Sequence, residues 1–187
     1  MLKLDETVLV VIDVQGKLAQ IMHERNRLFN SLEVLIRGAK LLGLPILLTE
    51  QVPEKLGSTV PEVRELLSDS EAMSKNSFSC LRDGVFRERL EALGRCNVIL
   101  AGIETHVCVY QTSRDLLELG YRVEVVTDAV SSRSAENRSI GLTRMKSEGA
   151  YLTSVEMVLF ELQEVATGER FRGLAKLIKD FGKGEQR

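Results

Sequence analysis

Three residues of different chemistry stand at the ends of apolar runs in this chain: Asp13 in VIDVQ, Lys75 in MSKNSFSC and Cys108 in GIETHVC. Together a thiol, a carboxylate and an ammonium can carry covalent hydrolysis. The sulfur attacks a carbonyl, the carboxylate takes the thiol proton and returns it to a leaving amine, and the ammonium holds both groups in place. An unperturbed thiol, with a pKa near ~8.5, is only a few per cent ionised at neutral pH, so a nucleophile of this kind needs activation. Cys108 falls in the first turn of a predicted helix, where unsatisfied backbone amides and the helix dipole favour thiolate, and a nearby lysine would push the same way. The sequence therefore predicts a lowered thiol pKa at Cys108. Each residue also has a plainer reading: a buried structural cysteine, a turn or cap aspartate, a solvated surface lysine.

Other reactive residues add little. His106 is two positions from Cys108, so on a helix it points to a different face and a Cys-His dyad is not expected. His23 has no companion and is placed at a surface helix start, and Cys80 and Cys96 read as passive thiols. Three cysteines without a CxxC pair, and only two histidines, suggest neither a disulfide framework nor a structural zinc site. The glycines form no GxGxxG or Walker pattern, which removes the usual phosphate cradle.

The elements that must position these residues follow from periodicity. Short runs rich in Val, Ile, Leu or Thr at 7–14, 45–49, 97–101, 122–127 and 150–153 read as strands, with a weaker one at Ala72–Lys75. Between them, Leu28, Leu32, Leu35, Ile36, Ala39 and Leu42 form a helical stripe that Gly43 ends before Pro45. Phe86, Leu90 and Leu93 mark a helix ending near Gly94, and 105–119 gives another closed by Gly120. Ser134 is read as the cap of a helix carrying Ala135, Leu142 and Met145, and Thr153 with Glu156 as a capping box for 155–166. Phe171, Leu174, Leu177, Ile178 and Phe181 give a final amphipathic helix, followed by a tail, 183–187, expected to fray. The longest irregular stretch, 50–60, follows a strand, and long loops in compact domains are often functional. Alternating strands and helices predict an α/β fold with a parallel sheet covered on both faces. In such a sheet ligands bind outside the carboxyl ends of the strands, where Asp13, Lys75 and Cys108 converge.

With 187 residues, one domain spanning 1–187 is expected, and 44% hydrophobic with 28% charged residues argues against disorder. Lys plus Arg number 25 and Asp plus Glu 27, a net charge of −2, which gives no general attraction to nucleic acid or an anionic membrane. The longest apolar runs fall far short of the ~18 residues a membrane span requires. The opening MLKLDET puts acidic residues directly before the first apolar run, with no small-residue cleavage site after it, so no secretory signal and a cytoplasmic protein are expected.

Through VIDVQ, the lysine of MSKNSFSC and GIETHVCVYQT, in that order, the chain resembles the isochorismatase-like cysteine hydrolases, a family that includes nicotinamidases and N-carbamoylsarcosine amidases. The likeness extends through DAVSSRS and GAYLTSVEMVLFEL and is nearest to the branch of isochorismatase-domain-containing proteins. The resemblance implies a single-domain, three-layer, doubly wound Rossmann-like fold with about six parallel strands. It implies catalytic roles for Asp13, Lys75 and Cys108, a cis peptide between Ile103 and Glu104, and an oxyanion hole formed by the backbone amides of Glu104 and Cys108. Homo-oligomers are common in the family. Metal-binding nicotinamidases share a DxH pattern and a further histidine after the second strand, whereas TEQVPEKLGSTVPE has no histidine, so neither a metal nor another cofactor is expected. Glu104 stands where relatives often carry a small or apolar residue.

The combined expectation is a metal-independent hydrolase of a small amide-like or imide-like C–N bond. Gln15, Gln51 and Phe78, beside the strand ends, are candidate substrate-pocket residues, with packing as the alternative. Two other classes remain open: a scaffold that keeps the fold without catalysis, and a redox thiol protein, which the lack of a resolving-cysteine motif disfavours.

Overall fold

The computed structural model describes residues 1–181 in full and the backbone through Gly184. The strands are β1 (Thr7–Ile12), β2 (Ile46–Gln51), β3 (Ala72–Lys75), β4 (Asn97–Ile103), β5 (Arg122–Ser131) and β6 (Tyr151–Thr153), and they form one sheet in the order β3-β2-β1-β4-β5-β6 with every pairing parallel. The order reverses direction at β1, which puts a crevice between the carboxyl ends of β1 and β4. The helices are α1 (Gly16–Gln20), α2 (Arg25–Leu42), α3 (Pro53–Leu56), α4 (Pro61–Arg64), α5 (Gly84–Ala92), α6 (Tyr110–Glu118), α7 (Ala135–Ser147), α8 (Val155–Gln163) and α9 (Gly168–Gly184).

Strand β1 is buried along its whole length, as the run TVLVVI requires of a strand covered on both faces. Its side chains alternate between two cores. Leu9 and Val11 pack with α2, α8 and α9, whereas Val8, Val10 and Ile12 pack with α5, α6 and α7. This division makes the three layers. Gly102 shows how closely β4 approaches β1: a Cβ there would lie 2.1 Å from the carbonyl oxygen of Ile12, and φ is +115°. That approach fixes the separation of the two strand ends that carry the site.

Several boundaries differ from expectation for identifiable reasons. Strand β1 stops at Ile12 because Asp13 takes φ +51°, and β4 and β5 run on to the carboxyl edge. The stretch expected to be irregular holds the end of β2 and all of α3, and α4 follows directly at Pro61; both helices are begun by a proline in the first turn. Ser134 caps α7 by accepting from the Asn137 amide, as expected. The cap of α8 is Ser154, not Thr153: its hydroxyl accepts from the Met157 amide, while Asp128 receives the Val155 amide. That helix ends at Gln163, short of 166, because Glu164 adopts φ +60°. Backbone helix α9 continues through Gly184, and the rest of the tail expected to fray lies outside the described residues. Among the described residues, no helix is long and apolar enough to cross a membrane.

Candidate active site

Three strand ends supply the site. Asp13 follows β1, Lys75 ends β3, and Cys108 lies in the Thr105–Val109 turn between β4 and α6. Aspartate is among the few non-glycine residues that tolerate left-handed backbone, so it can turn the chain off β1 at this point. Its amide donates to the carbonyl of Thr49, and the Thr49 hydroxyl donates to Asp13 Oδ1 at 2.8 Å. Opposite, Lys75 Nζ lies 2.6 Å from Asp13 Oδ2 in an ion pair whose side chains are 1% and 4% exposed.

The ammonium is surrounded by oxygen. Lys75 donates to Gln51 Oε1 at 2.7 Å and to the carbonyls of Ser77 and Phe78, each at 3.1 Å. Burial by itself lowers the lysine pKa, but the Asp13 carboxylate and the neighbouring thiols of Cys80 and Cys108 outweigh it, and the net shift is upward. Lys75 therefore stays charged. Such a buried pair is held by its surrounding hydrogen bonds, Thr49 donating to Asp13 Oδ1 and the ammonium donating to Gln51, more than by Coulomb attraction, because desolvation offsets most of the latter; Asp13 Oδ2 has the lysine contact alone.

Cys108, 7% exposed, meets this pair. Burial pushes its thiol up, the Asp13 carboxylate pushes it further up, and Lys75 only partly opposes them. The lowered pKa expected from the sequence is therefore overturned. The dipole and lysine arguments assumed a partly solvated sulfur beside a free cation, whereas the sulfur is buried and the cation already neutralised by Asp13. The resting group is a neutral thiol beside a carboxylate that can take its proton as the sulfur attacks.

The Thr105–Val109 turn is tied from the far side of the crevice. The peptide between Ile103 and Glu104 is cis. Glu104 Oε1 accepts from the amide of Arg133 at 3.1 Å and from its Nε at 3.2 Å. The amides of Val107 and Val109 both donate to the Glu104 carbonyl, so the Cys108 amide sits between two that are already taken. His106 Nδ1 lies 2.9 Å from the Ser132 hydroxyl, away from any dyad with Cys108. Gly141 of α7 lets that helix press on the turn, since a Cβ there would come within 2.9 Å of His106 Cα.

The three candidate pocket residues separate. Gln15 is fully buried, and its amide is committed to backbone: Nε2 donates to the carbonyls of Gln51 and Gly57, and Oε1 accepts from the Gln51 amide at 2.6 Å. Contrary to its placement in the pocket, it clamps β1 to β2, because a buried amide must satisfy its groups where the backbone offers partners. Gln51 aims Lys75 and anchors itself by donating to the Asn76 carbonyl. The next residue, Val52, holds φ +39°, a costly conformation for a β-branched side chain that persists only where surroundings enforce it; its amide donates to the Lys75 carbonyl. Phe78 serves Lys75 through its carbonyl while its side chain is about half exposed at the rim.

Thr49, Cys80 and Arg133 were missed by sequence reasoning. A threonine at the end of a predicted strand was a usable signal for Thr49. Nothing in the local sequence marks Arg133 as a partner of Glu104. A surface depression of about 510 Å³ lies away from these residues, against Lys3, Leu42, Arg95 and Gln163 at the amino ends of the strands. Among the described residues, no group of three or more His, Cys, Asp or Glu side chains is placed to hold a metal ion.

A doubly wound sheet with a buried lysine–aspartate pair beside a cysteine at its carboxyl edge defines an α/β protein with a hydrolase-type fold. Residues 7–157 match the isochorismatase domain family, and this chain belongs to it. The secreted isochorismatase effector Isc1 of Phytophthora sojae is 41% identical over 178 residues, covering 93% of this chain and 85% of the relative. The MAR1 ribonuclease from Caenorhabditis elegans superposes with a TM-score of 0.87 at 37% identity, covering 95% of this chain and 91% of that one. The YcaC gene product from Escherichia coli, an octameric hydrolase of unknown specificity, gives a TM-score of 0.90 at 26% identity, covering 99% and 94%.

Proposed function

We propose that this chain is a cysteine hydrolase that cleaves a small amide-like or imide-like C–N bond without a metal or other cofactor. The observation that carries the reading is the buried Asp13–Lys75 pair beside the neutral Cys108 thiol. Cys108 Sγ attacks the carbonyl carbon as its proton passes to Asp13. The developing oxyanion is received by the backbone amides of Glu104 and Cys108. Asp13 then protonates the leaving nitrogen, and water, deprotonated by the same carboxylate, hydrolyses the thioester and restores the thiol. Lys75 orients Asp13 through their 2.6 Å ion pair and touches neither bond that breaks.

Near-complete burial of all three side chains favours a small substrate. The octameric relative supports a homo-oligomer, and three free cysteines fit a cytoplasmic setting. Ammonia or amine release from a panel of small amides, imides and carbamoyl compounds tests the reading, with Cys108→Ala and Asp13→Asn as controls. Turnover that vanishes in Cys108→Ala supports it. Turnover indifferent to that substitution, or equal alkylation of Cys80, Cys96 and Cys108 with no turnover, would move the assignment to a scaffold. A relative named as a ribonuclease puts labelled RNA in the same panel, and this chain's net charge of −2 leads us to expect no cleavage.

A further inference from the structure

Cys80 is a second thiol in the buried cluster, and hydrolysis leaves it unused. It is fully buried, in the same core as Cys108, and its Sγ lies 3.9 Å from the Thr49 hydroxyl, which itself donates to Asp13. Its amide donates at 3.0 Å to the hydroxyl of Thr112, a residue four positions after Cys108. At that spacing Thr112 and Cys108 lie on one side of a helical segment, and both are buried. Cys80 is thus held against the segment that carries Cys108, its sulfur reaches Asp13 through the Thr49 hydroxyl, and the charges of the Asp13–Lys75 pair act on both thiols. Of the two, only Cys108 retains exposure to solvent.

We propose that Cys108 and Cys80 form a redox pair: a hydroperoxide oxidises Cys108, and Cys80 captures the product as an intramolecular disulfide that reversibly closes the site. The proposal rests on Cys108 being the nucleophile of the proposed hydrolysis. In the first step Cys108 Sγ attacks the terminal peroxide oxygen, the O–O bond breaks, and an S–O bond forms. The thiol proton passes through Asp13 to the leaving oxygen, so the sulfur is oxidised by two electrons to sulfenic acid and the peroxide is reduced to an alcohol or water. In the second step Cys80 Sγ attacks the sulfenic sulfur, an S–S bond forms, and the S–O bond breaks. The Cys80 proton reaches Asp13 through the Thr49 hydroxyl and leaves with the departing oxygen as water. A thiol reductant restores both cysteines. The sequence lacks a CxxC signal because the two cysteines come together only across β2 and α6.

The test treats the full chain with hydrogen peroxide and maps its cysteines by non-reducing mass spectrometry. The expected product is a peptide pair joined through Cys80 and Cys108, with Cys108 alkylation recovered after dithiothreitol. Cys80→Ser keeps a donor to Thr49 but cannot link, so its reduced form should alkylate at Cys108 at the wild-type rate. After peroxide, the recoverable fraction of Cys108 in that variant should fall several-fold as oxidation runs on to sulfinic acid. A wild-type Cys108 that proceeds to sulfinic acid with Cys80 still free overturns the proposal. So does linkage only through Cys96 between chains, or a Cys108 that alkylates readily yet resists peroxide. A reduced Cys108 inert to both reagents would defeat the hydrolase reading as well, which separates the two failures.

Discussion

Two carboxylate–cation pairs occupy opposite ends of the same sheet and show what burial does to each. At the carboxyl end, Lys75 and Asp13 approach to 2.6 Å with 1% and 4% exposure, and each has further hydrogen-bond partners from neighbouring strand ends. At the amino end, Arg122 and Glu124 approach to 2.7 Å within β5, but Arg122 is 31% exposed and stacks 4.4 Å from the Tyr151 ring. Glu124 is buried like Asp13, and burial raises its pKa despite Arg122. The difference is where the cation's remaining donors go: solvent at one end, a shell of protein oxygens at the other. The first arrangement lies within one strand at the rim and reaches the next only through the Arg122–Tyr151 ring contact. The second keeps a charge pair dry beside a thiol, where small changes in proton position matter.

Breaking the site pair should have the largest effect. Lys75→Met leaves Asp13 buried without a countercharge, so we expect a loss of roughly 3–5 kcal/mol in urea unfolding together with loss of turnover. Arg122→Met, with solvent close to its partner, should cost less than half as much and leave turnover unchanged; equal losses would erase the distinction between the two ends. Asp13→Asn keeps shape but cannot accept the thiol proton. It should lower kcat/KM on the best substrate by about 10²- to 10⁴-fold, more than its effect on stability accounts for. Gln51→Leu removes a buried bond to the ammonium and should cost about 1.5–3 kcal/mol in thermal unfolding, with a smaller loss in kcat.

Titration sharpens the same contrast. Cys80 is held up at about 11 and Lys75 is raised, so the folded chain keeps protons that the unfolded chain releases. Stability from these groups is complete below pH ~8.5 and declines as pH rises through their folded values. Urea midpoints measured from pH 8 to 10.5 should fall steadily, and Cys80→Ser should flatten part of that fall. Cys108 alkylation should rise across the same range without the plateau near neutrality that a lowered pKa would produce; such a plateau would restore the thiolate picture. The smallest effect belongs to exposed helical pairs such as Arg114–Glu118, where Arg114→Ala should leave the urea midpoint essentially unchanged.

By itself the sequence determined the alternation of strands and helices, the parallel sheet, and the placement of Asp13, Lys75 and Cys108 at strand ends. These follow from local periodicity and from the rule that parallel strands buried on both faces read as continuous apolar runs. The chain's resemblance also carried the cis peptide before Glu104. Only the tertiary structure decided which polar groups touch. Gln15 became a backbone clamp because burial forces an amide to spend its donors and acceptor on the nearest carbonyls and amides. The Cys108 thiol moved up because its ionisation depends on the depth of burial and on a cation already claimed by Asp13. Thr49, Cys80 and Arg133 entered the site through contacts between segments 29 to 36 residues apart, as with Thr49 and Asp13, or Arg133 and Glu104. Periodicity is a property of neighbours along the chain, whereas charge state and hydrogen-bond partnership are properties of neighbours in space.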